Sequence, residues 1–248
     1  MNKAAAIILA AGKGTRMKSS RPKVIFELSG KPLLNWVLDT ALAARCDPIA
    51  VVVGYKKELV IKAARKENEI FFVEQSEQLG TGHAVMSARQ VLKNFSGDIF
   101  VLCGDVPLLK IETLQKLQAE KNKFQAGCVV LTAILEDPQK YGRIVRDDQN
   151  NVERIVEYKD ADESVRQIRE INTGIYCFDA QALFDSLEKI TNKNKQQEYY
   201  LTDTLEIMLQ NGIKVRSLIL ADNLEATGIN SREDLANLEN EYLSRIEG

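Results

Sequence analysis

The feature that most constrains this chain is an uninterrupted apolar run, Ala4 to Ala10, that leads straight into Gly12 and Gly14. With no polar residue at alternate positions, it has no face to offer to water. Such a run suits a strand buried on both faces, the kind found inside a parallel sheet. At this length it is also too short for a signal peptide, and no stretch reaches the ~18 apolar residues of a membrane span.

The next segments repeat the theme. Pro32 stands where a helix can begin, and Leu33, Leu34, Val37, Leu38, Ala41 and Leu42 follow at helical spacing. Ile49 to Val53 reads as a second strand, Lys57 to Lys66 as a helix, and Ile70 to Val73 as a third strand. A helix from about Gly82 to Leu92 and a strand from Ile99 to Cys103 come next, the strand closed by Gly104, Asp105 and Pro107. Regular alternation of strand and helix predicts an α/β fold: a mostly parallel central sheet with helices on both faces.

The second half changes character. Gly127 to Leu135, Ile144 to Arg146, Val152 to Glu157 and Ile171 to Phe178 read as strands with little helix between them, either sheet extensions or a small insertion. Helical spacing returns in Ala180 to Leu187 and Leu201 to Leu209. A strand from Val215 to Leu220 precedes a charged terminal helix, Arg232 to Ile246. With neither repeats nor a low-complexity linker, the chain is expected to form one two-lobed unit, residues 1–228, followed by a terminal helix or linker, residues 229–248.

Charge narrows the partners. A net charge of -2 carries no basic excess to mark a nucleic-acid or membrane-surface binder. An anionic ligand must then be held by a local cluster. The cysteines, Cys46, Cys103, Cys128 and Cys177, form no CxxC pair, and three lie in apolar runs. They read as reduced, buried thiols of a cytoplasmic protein. His83 is the only histidine, which excludes a His-rich metal site.

That cluster is visible around the glycines. Lys13, Arg16, Arg21 and Lys23 surround a loop in which Gly12 and Gly14 permit positive φ and close approach of a phosphate. Backbone dipoles combined with mobile cations suit a triphosphate. The third glycine of a dinucleotide fingerprint is replaced by Met17, and the Walker A pattern is absent. A plain strand-to-helix turn with surface lysines remains the competing reading of the glycine pair alone.

Leu9-Ala-Ala-Gly-Lys-Gly-Thr-Arg-Met17 with Pro22-Lys23 resembles the signature of sugar nucleotidyltransferases. Further segments follow in order: Gln75, Gln78 to Ala84, Gly104 to Pro107, Tyr141 to Ile144, Ile155 to Glu157 with Lys159-Asp160, Glu170 to Gly174, Glu198 to Asp203 and Gly228 to Asn230. Together they resemble the uridyltransferase domain of the bacterial bifunctional N-acetylglucosamine 1-phosphate uridyltransferase/glucosamine 1-phosphate acetyltransferases, over nearly the whole chain.

The resemblance implies a Rossmann-like nucleotidyltransferase fold with a smaller sugar-binding β subregion. It also implies UTP and N-acetylglucosamine 1-phosphate as substrates, Mg²⁺ as cofactor, and a product that supplies peptidoglycan precursors. On that basis Leu9, Ala10, Ala11 and Gly12 would contact base and ribose, Lys23 the phosphates, and Gln75, Gly80 and Thr81 the uracil. Cys103, Gly104 and Asp105 would lie under the nucleotide. Gly142, Glu157 and Asn172 would bind the amino sugar, Asp105 and Asn230 the metal. Arg16 and Lys23 would stabilise charge in the transition state.

The residues partly support this on their own. Asp105 follows a buried strand, and ligands of open α/β sheets bind at strand carboxyl ends. Each position also has a plainer role: Asp105 as the start of a turn, Asn230 as a helix cap before Ser231, Glu157 as a surface partner of Lys159, His83 as a cap or solvent-facing residue.

Two departures from the family pattern stand out, Cys103 where a tyrosine is usual and Phe26 where a histidine is usual. The hexapeptide β-helix of the bifunctional proteins has no counterpart in these residues. Acetyl transfer is therefore not expected, and a monomer or weak dimer is. A nucleotide-sensing scaffold on the same fold, a nicotinamide oxidoreductase, and a relative using another base or sugar are the alternatives. Thymine differs from uracil by only a methyl, a poor basis for discrimination.

Overall fold

The computed structural model describes residues 3–247; Met1, Asn2 and Gly248 lie outside the described residues. The chain opens with strand β1, Ala4–Ala10, then passes through short 3₁₀ turns at Thr15–Met17 and Lys23–Ile25. A small hairpin follows, β2 at Glu27–Leu28 and β3 at Lys31–Pro32, and leads into helix α1, Leu33–Ala43. Next come β4 (Ile49–Val53), α2 (Lys57–Ala63), β5 (Ile70–Glu74), α3 (Thr81–Ser87) and β6 (Asp98–Cys103).

The second half begins with α4 (Ile111–Phe124), followed by β7 (Cys128–Ile134), β8 (Arg143–Arg146), β9 (Val152–Val156) and the single turn α5 (Glu163–Arg166). It continues through β10 (Glu170–Asp179), α6 (Ala180–Leu187), α7 (Asp203–Gln210), β11 (Val215–Ile219) and α8 (Arg232–Glu247).

The main sheet runs in the order β11-β7-β10-β6-β1-β4-β5. β1 pairs in parallel with both β4 and β6, β4 with β5, and β7 with β11. β10 is antiparallel to both of its neighbours, β6 and β7. The α/β reading with a mostly parallel sheet therefore holds. Of the second-half strands, β7, β10 and β11 belong to the main sheet, and only the β8–β9 hairpin extends it, joined to β10.

β1 is covered on both faces, as its composition requires. Ala4, Ala6, Ile8 and Ala10 point into a core shared with Leu34, Val37 and Leu38 of α1, Val60 of α2, and Leu114 and Leu117 of α4. Ala5 and Ile7 point the other way, to Ala84 and Val85 of α3, Leu183 of α6, and Leu205 and Met208 of α7. A third, smaller cluster seats α8: Leu238 and Ile229 pack with Met17, Leu28 and Leu33. Trp36 meets Tyr242 edge-on, with ring centroids 5.4 Å apart.

Two helix ends and one whole helix differ from the periodicity. Helix α2 stops at Ala63, before the expected Lys66, because Asn35 caps it: Asn35 Nδ2 donates to Ala63 O at 3.1 Å, and Arg65 N donates to Asn35 Oδ1 at 2.8 Å. The α-helical stretch expected to Leu92 ends at Ser87, and the chain continues in successive turns. Helix α4 has no counterpart in the sequence reading. It sits on the sheet partly through polar groups: Lys121 Nζ lies 2.7 Å from Asp98 Oδ1, and Gln118 Nε2 donates to Asp98 Oδ2 at 2.8 Å.

The Asp98 and Lys121 side chains are only 3% and 10% exposed. Removing one partner of such a pair leaves the other charge buried without compensation. Asp98→Ala is expected to lower unfolding free energy by about 3–5 kcal/mol in urea titrations. A loss under about 1 kcal/mol, the size of an exposed pair, would show that Lys121 reaches solvent once released.

Candidate active site

β1 and β6 lie side by side, so the loops leaving their carboxyl ends face one another. The junction is tight: Gly104 N donates to Leu9 O at 3.0 Å, and a Cβ on Gly104 would lie 3.0 Å from that oxygen and 3.3 Å from Val24 Cγ1. Around this point Leu9, Ala10, Ala11, Gly12, Lys23, Gln75, Gly80, Thr81, Cys103 and Asp105 line one cavity of about 300 Å³. Gly104 does not line it; it lies between two residues that do, Cys103 and Asp105.

The two loop glycines do different jobs. Gly14 has φ 62°, and a Cβ there would strike Lys23 Cβ at 2.6 Å. It is therefore needed for both its backbone and the passage of Lys23. Gly12 does not use the positive φ that glycine permits, and a Cβ at Gly12 would meet nothing within 4 Å. Its bareness leaves open space at the cavity mouth.

The loop cations separate. Lys13 lies over the Tyr55 ring, and Arg21 lies over Phe26 while its Nη2 donates to Ile25 O at 3.2 Å. Lys23 turns into the site, where Nζ contacts Asp105 Oδ2 and lies 2.9 Å from Asn230 Oδ1. Arg16 is exposed on the 3₁₀ turn and borders a second cavity of about 200 Å³ beyond Asp105, with Tyr141, Gly228 and Asn230. That cavity opens on a third of about 580 Å³ against α8.

Asp105 and Asn230, far apart in sequence, are brought together by backbone. Ile229 N donates to Asp105 O at 3.0 Å, which sets the next side chain beside the carboxylate. Asn230 is not the helix cap. Ser231 Oγ accepts from Asp234 N at 3.1 Å, and Asp234 Oδ2 accepts from the N–H groups of both Asn230 and Ser231 at 2.9 Å. This reciprocal capping box leaves the Asn230 amide oxygen to Lys23. Two hard oxygen donors thus converge on one cation, which fits a divalent metal whose remaining ligands are phosphates and waters. No group of three His, Cys, Asp or Glu side chains suited to a metal occurs among the described residues.

Deeper in the first cavity, Gln75 is buried, and its Nε2 donates to Gly80 O at 3.1 Å and lies 3.2 Å from His83 Nδ1. With the amide N–H groups used internally, its oxygen is the atom offered to a ligand. His83 thus orients Gln75, a role the sequence did not disclose. Gly80 has φ 109°, and a Cβ there would lie 2.6 Å from Tyr199 O. Gly82 N donates to Tyr199 O at 2.8 Å, Tyr199 N to Leu79 O at 2.7 Å, and Leu201 N to Thr81 Oγ1 at 3.1 Å. Gln78, which the sequence reading left outside its binding set, also lines this cavity and donates from Nε2 to Ala11 O at 2.9 Å.

Gly142, just before β8, and Glu157, just after β9, meet Asn172 of β10. Asn172 N donates to Gly142 O at 2.9 Å, and a Cβ on Gly142 would lie 3.4 Å from Glu157 Oε2. Asn172 Oδ1 accepts from Gly174 N at 3.0 Å and from the Tyr176 hydroxyl at 2.9 Å, leaving its N–H₂ end as donor. Glu157 accepts from Thr202 Oγ1 at 3.4 Å and does not pair with Lys159, which donates to Gln196. Burial, ahead of its neighbouring carboxylates, pushes the Glu157 carboxyl up. Cys103 joins the two halves: its thiol contacts Gly174 O at 3.4 Å. Burial, with Asp105 nearby, raises that thiol to about 12, so it stays protonated and unreactive.

With the geometry established, comparison with known proteins settles the family. The Nucleotidyl transferase family profile matches residues 5–230. The chain belongs to the nucleotidyl transferase family. It is 50% identical over 232 residues to the bifunctional protein GlmU of Syntrophotalea carbinolica, covering 94% of this chain and 50% of that protein. To GlmU of Caldicellulosiruptor saccharolyticus it is 48% identical over 241 residues, covering 97% and 52%.

The chain thus spans about half the length of the curated relatives it matches. A solved structure of UDP-glucose pyrophosphorylase complexed with UDP-glucose shares the fold, with TM-score 0.78 at 20% identity, covering 99% of this chain and 100% of that one. Nucleotidyl transferases of this type use a divalent metal. Among the described residues, no helix is long and apolar enough to cross a membrane.

A partly buried carboxylate next to Thr202 leaves a mark on stability. Asp203, at the start of α7, is raised from 3.8 to about 6 by burial and by Glu206 and Asp160. Between those values the folded protein holds a proton that the unfolded chain has lost. Stability is therefore expected to fall as pH rises from about 4 to about 6. Asp203→Asn should match the wild-type melting temperature near pH 4 and exceed it above pH 6. Parallel melting profiles across that range would reject the raised carboxyl.

Proposed function

We propose that the chain transfers UMP from UTP to N-acetylglucosamine 1-phosphate with Mg²⁺ in the cytoplasm, releasing pyrophosphate. The observation that carries this reading is the convergence of Lys23, Asp105 and Asn230 at the wall shared by the two inner cavities. The cavity of Gln75 and Gly80 lies to one side of it, and the Gly142–Glu157–Asn172 cluster is one contact away through Cys103 and Gly174. The 48–50% identity to the GlmU proteins above supports the same choice of substrates.

The reaction needs no general base, because the sugar phosphate is already an anion at neutral pH. Its oxygen attacks the α-phosphorus, and the bond from that phosphorus to the bridging oxygen of pyrophosphate breaks. The obstacle is the meeting of two anions. Mg²⁺ held by Asp105 and Asn230 would supply charge neutralisation and alignment of the phosphates. Lys23 and Arg16 supply mobile positive charge to the transferring and leaving phosphates. The Gln75 oxygen accepts from uracil N3–H, with the Gly80–Thr81 backbone alongside. Leu9 to Gly12 carry the ribose, the Cys103–Asp105 segment lies beneath it, and Gly12 leaves room for the phosphates.

On the sugar side, the Asn172 amide donates and Glu157 accepts, with Gly142 keeping clear of the ring. A site built from such bonds penalises a sugar that lacks the acetamido group, because its polar atoms lose their partners. The protein works as a monomer or weak dimer on two small anions, with neither nucleic acid nor membrane involved.

Pyrophosphate release tests the reading. With N-acetylglucosamine 1-phosphate and each NTP in turn, release is expected with UTP, to be abolished by EDTA, and to fall at least about tenfold in kcat/KM with glucose 1-phosphate. Asp105→Ala should remove most turnover while melting at a similar temperature. Wild-type turnover in that variant would sink the metal pair, and preference for another NTP or sugar phosphate would move the substrate.

A further inference from the structure

The charge facing Asp105 in this structure is an ammonium. Lys23 Nζ contacts Asp105 Oδ2 and lies 2.9 Å from Asn230 Oδ1, the two oxygens assigned above to the metal. Each side chain of the Lys23–Asp105 pair is only 17% exposed, so water screens them little. A lysine ammonium and a divalent cation cannot share two oxygens at such range. One must leave before the other binds.

Lys23 is built to leave. Its backbone is fixed in the 3₁₀ turn, with Lys23 O accepting from Phe26 N at 3.1 Å and Gly14 making room at its Cβ. Its four-carbon stem is flexible, and the same residue lines the nucleotide cavity, where a polyphosphate offers it stronger anions. Asn230 borders only the cavities beyond Asp105 and has no such second position. The protein also contributes too few ligands to hold a metal strongly by itself.

We propose that Lys23 is an exchangeable counter-ion that keeps divalent metal out of the nucleotide-free protein and yields the Asp105–Asn230 pair when a nucleotide polyphosphate draws the ammonium away. The proposal rests on the metal assignment of the preceding reading. It gives Lys23 two positions, one closing the empty site and one serving the phosphates. Metal and nucleotide then enter together, and a metal ion does not occupy the site unproductively.

Mn²⁺ binding, followed by electron paramagnetic resonance on nucleotide-free protein, tests this directly. Lys23→Met is expected to bind Mn²⁺ at least about tenfold more tightly than wild type, a difference of about 1.4 kcal/mol. Lys23→Arg, which keeps the charge, should stay near wild type. Adding Asp105→Asn to Lys23→Met should abolish the gain. Saturating UTP should tighten Mn²⁺ binding to wild type by more than to Lys23→Met, which has no lysine to release.

Equal or weaker Mn²⁺ affinity in a Lys23→Met protein that melts normally would overturn the proposal, as would a gain that survives loss of the Asp105 charge. The pyrophosphate assay fails independently. Turnover in wild type without a Mn²⁺ gain in Lys23→Met defeats only the counter-ion role. The Mn²⁺ gain without turnover defeats only the substrate reading.

Discussion

The site hangs on one backbone hydrogen bond, from Gly104 N to Leu9 O, where the β1–β6 ladder ends. Beyond it the two chains part, one into the glycine loop and the other toward Asp105. Because both strands are buried on both faces, this exit point is fixed by the cores above and below. Nothing larger than glycine fits at 104 without pressing on Leu9 O and Val24. The separation of the Lys23 loop from Asp105 is thus set by sheet geometry, which is more rigid than any loop.

A second organising element is the irregular stretch between α6 and α7. Tyr199 and Leu201 hold the loop containing Gly80 to Gly82, while Thr202 reaches Glu157 and the Tyr200 hydroxyl donates to Asp160 at 2.9 Å. One segment therefore braces the Gly80–Gly82 loop and Glu157 at once. The short-range cost appears as a position at Gly80 that only glycine can occupy and as crowded carboxylates around Asp203.

Much of this could be read in the sequence because its physical causes are local. Unbroken apolar runs gave β1, β4 and β6, since burial on both faces leaves no polar alternate positions. Helix α4 escaped notice because its buried face includes Thr113, Gln118 and Lys121, so its apolar stripe is thin. The antiparallel run of β10 between β6 and β7 depends on pairing partners, which periodicity does not encode. The convergence of Lys23 on Asp105 and Asn230 is likewise a matter of topology, although the residue types were visible. Asn230 was open to reading as a helix cap; only the bond from Asp234 N to Ser231 Oγ shows that its neighbour caps instead. His83 gave no signal, because its work is done on another side chain.

Under the proposed reading, the fixed orientation of Gln75 has a consequence for which bases the cavity tolerates. Turning the amide over would set its oxygen against the carbonyl of Gly80, lone pair against lone pair. Gly80 cannot move aside, since its backbone lies against Glu198 and Tyr199. A ring whose corresponding nitrogen carries a lone pair, as in cytosine, would then face the Gln75 oxygen with no hydrogen between them. An unmatched buried acceptor pair of this kind costs about 1–3 kcal/mol. Base choice would in that case be enforced by lone-pair repulsion that traces back to the main-chain carbonyl of Gly80.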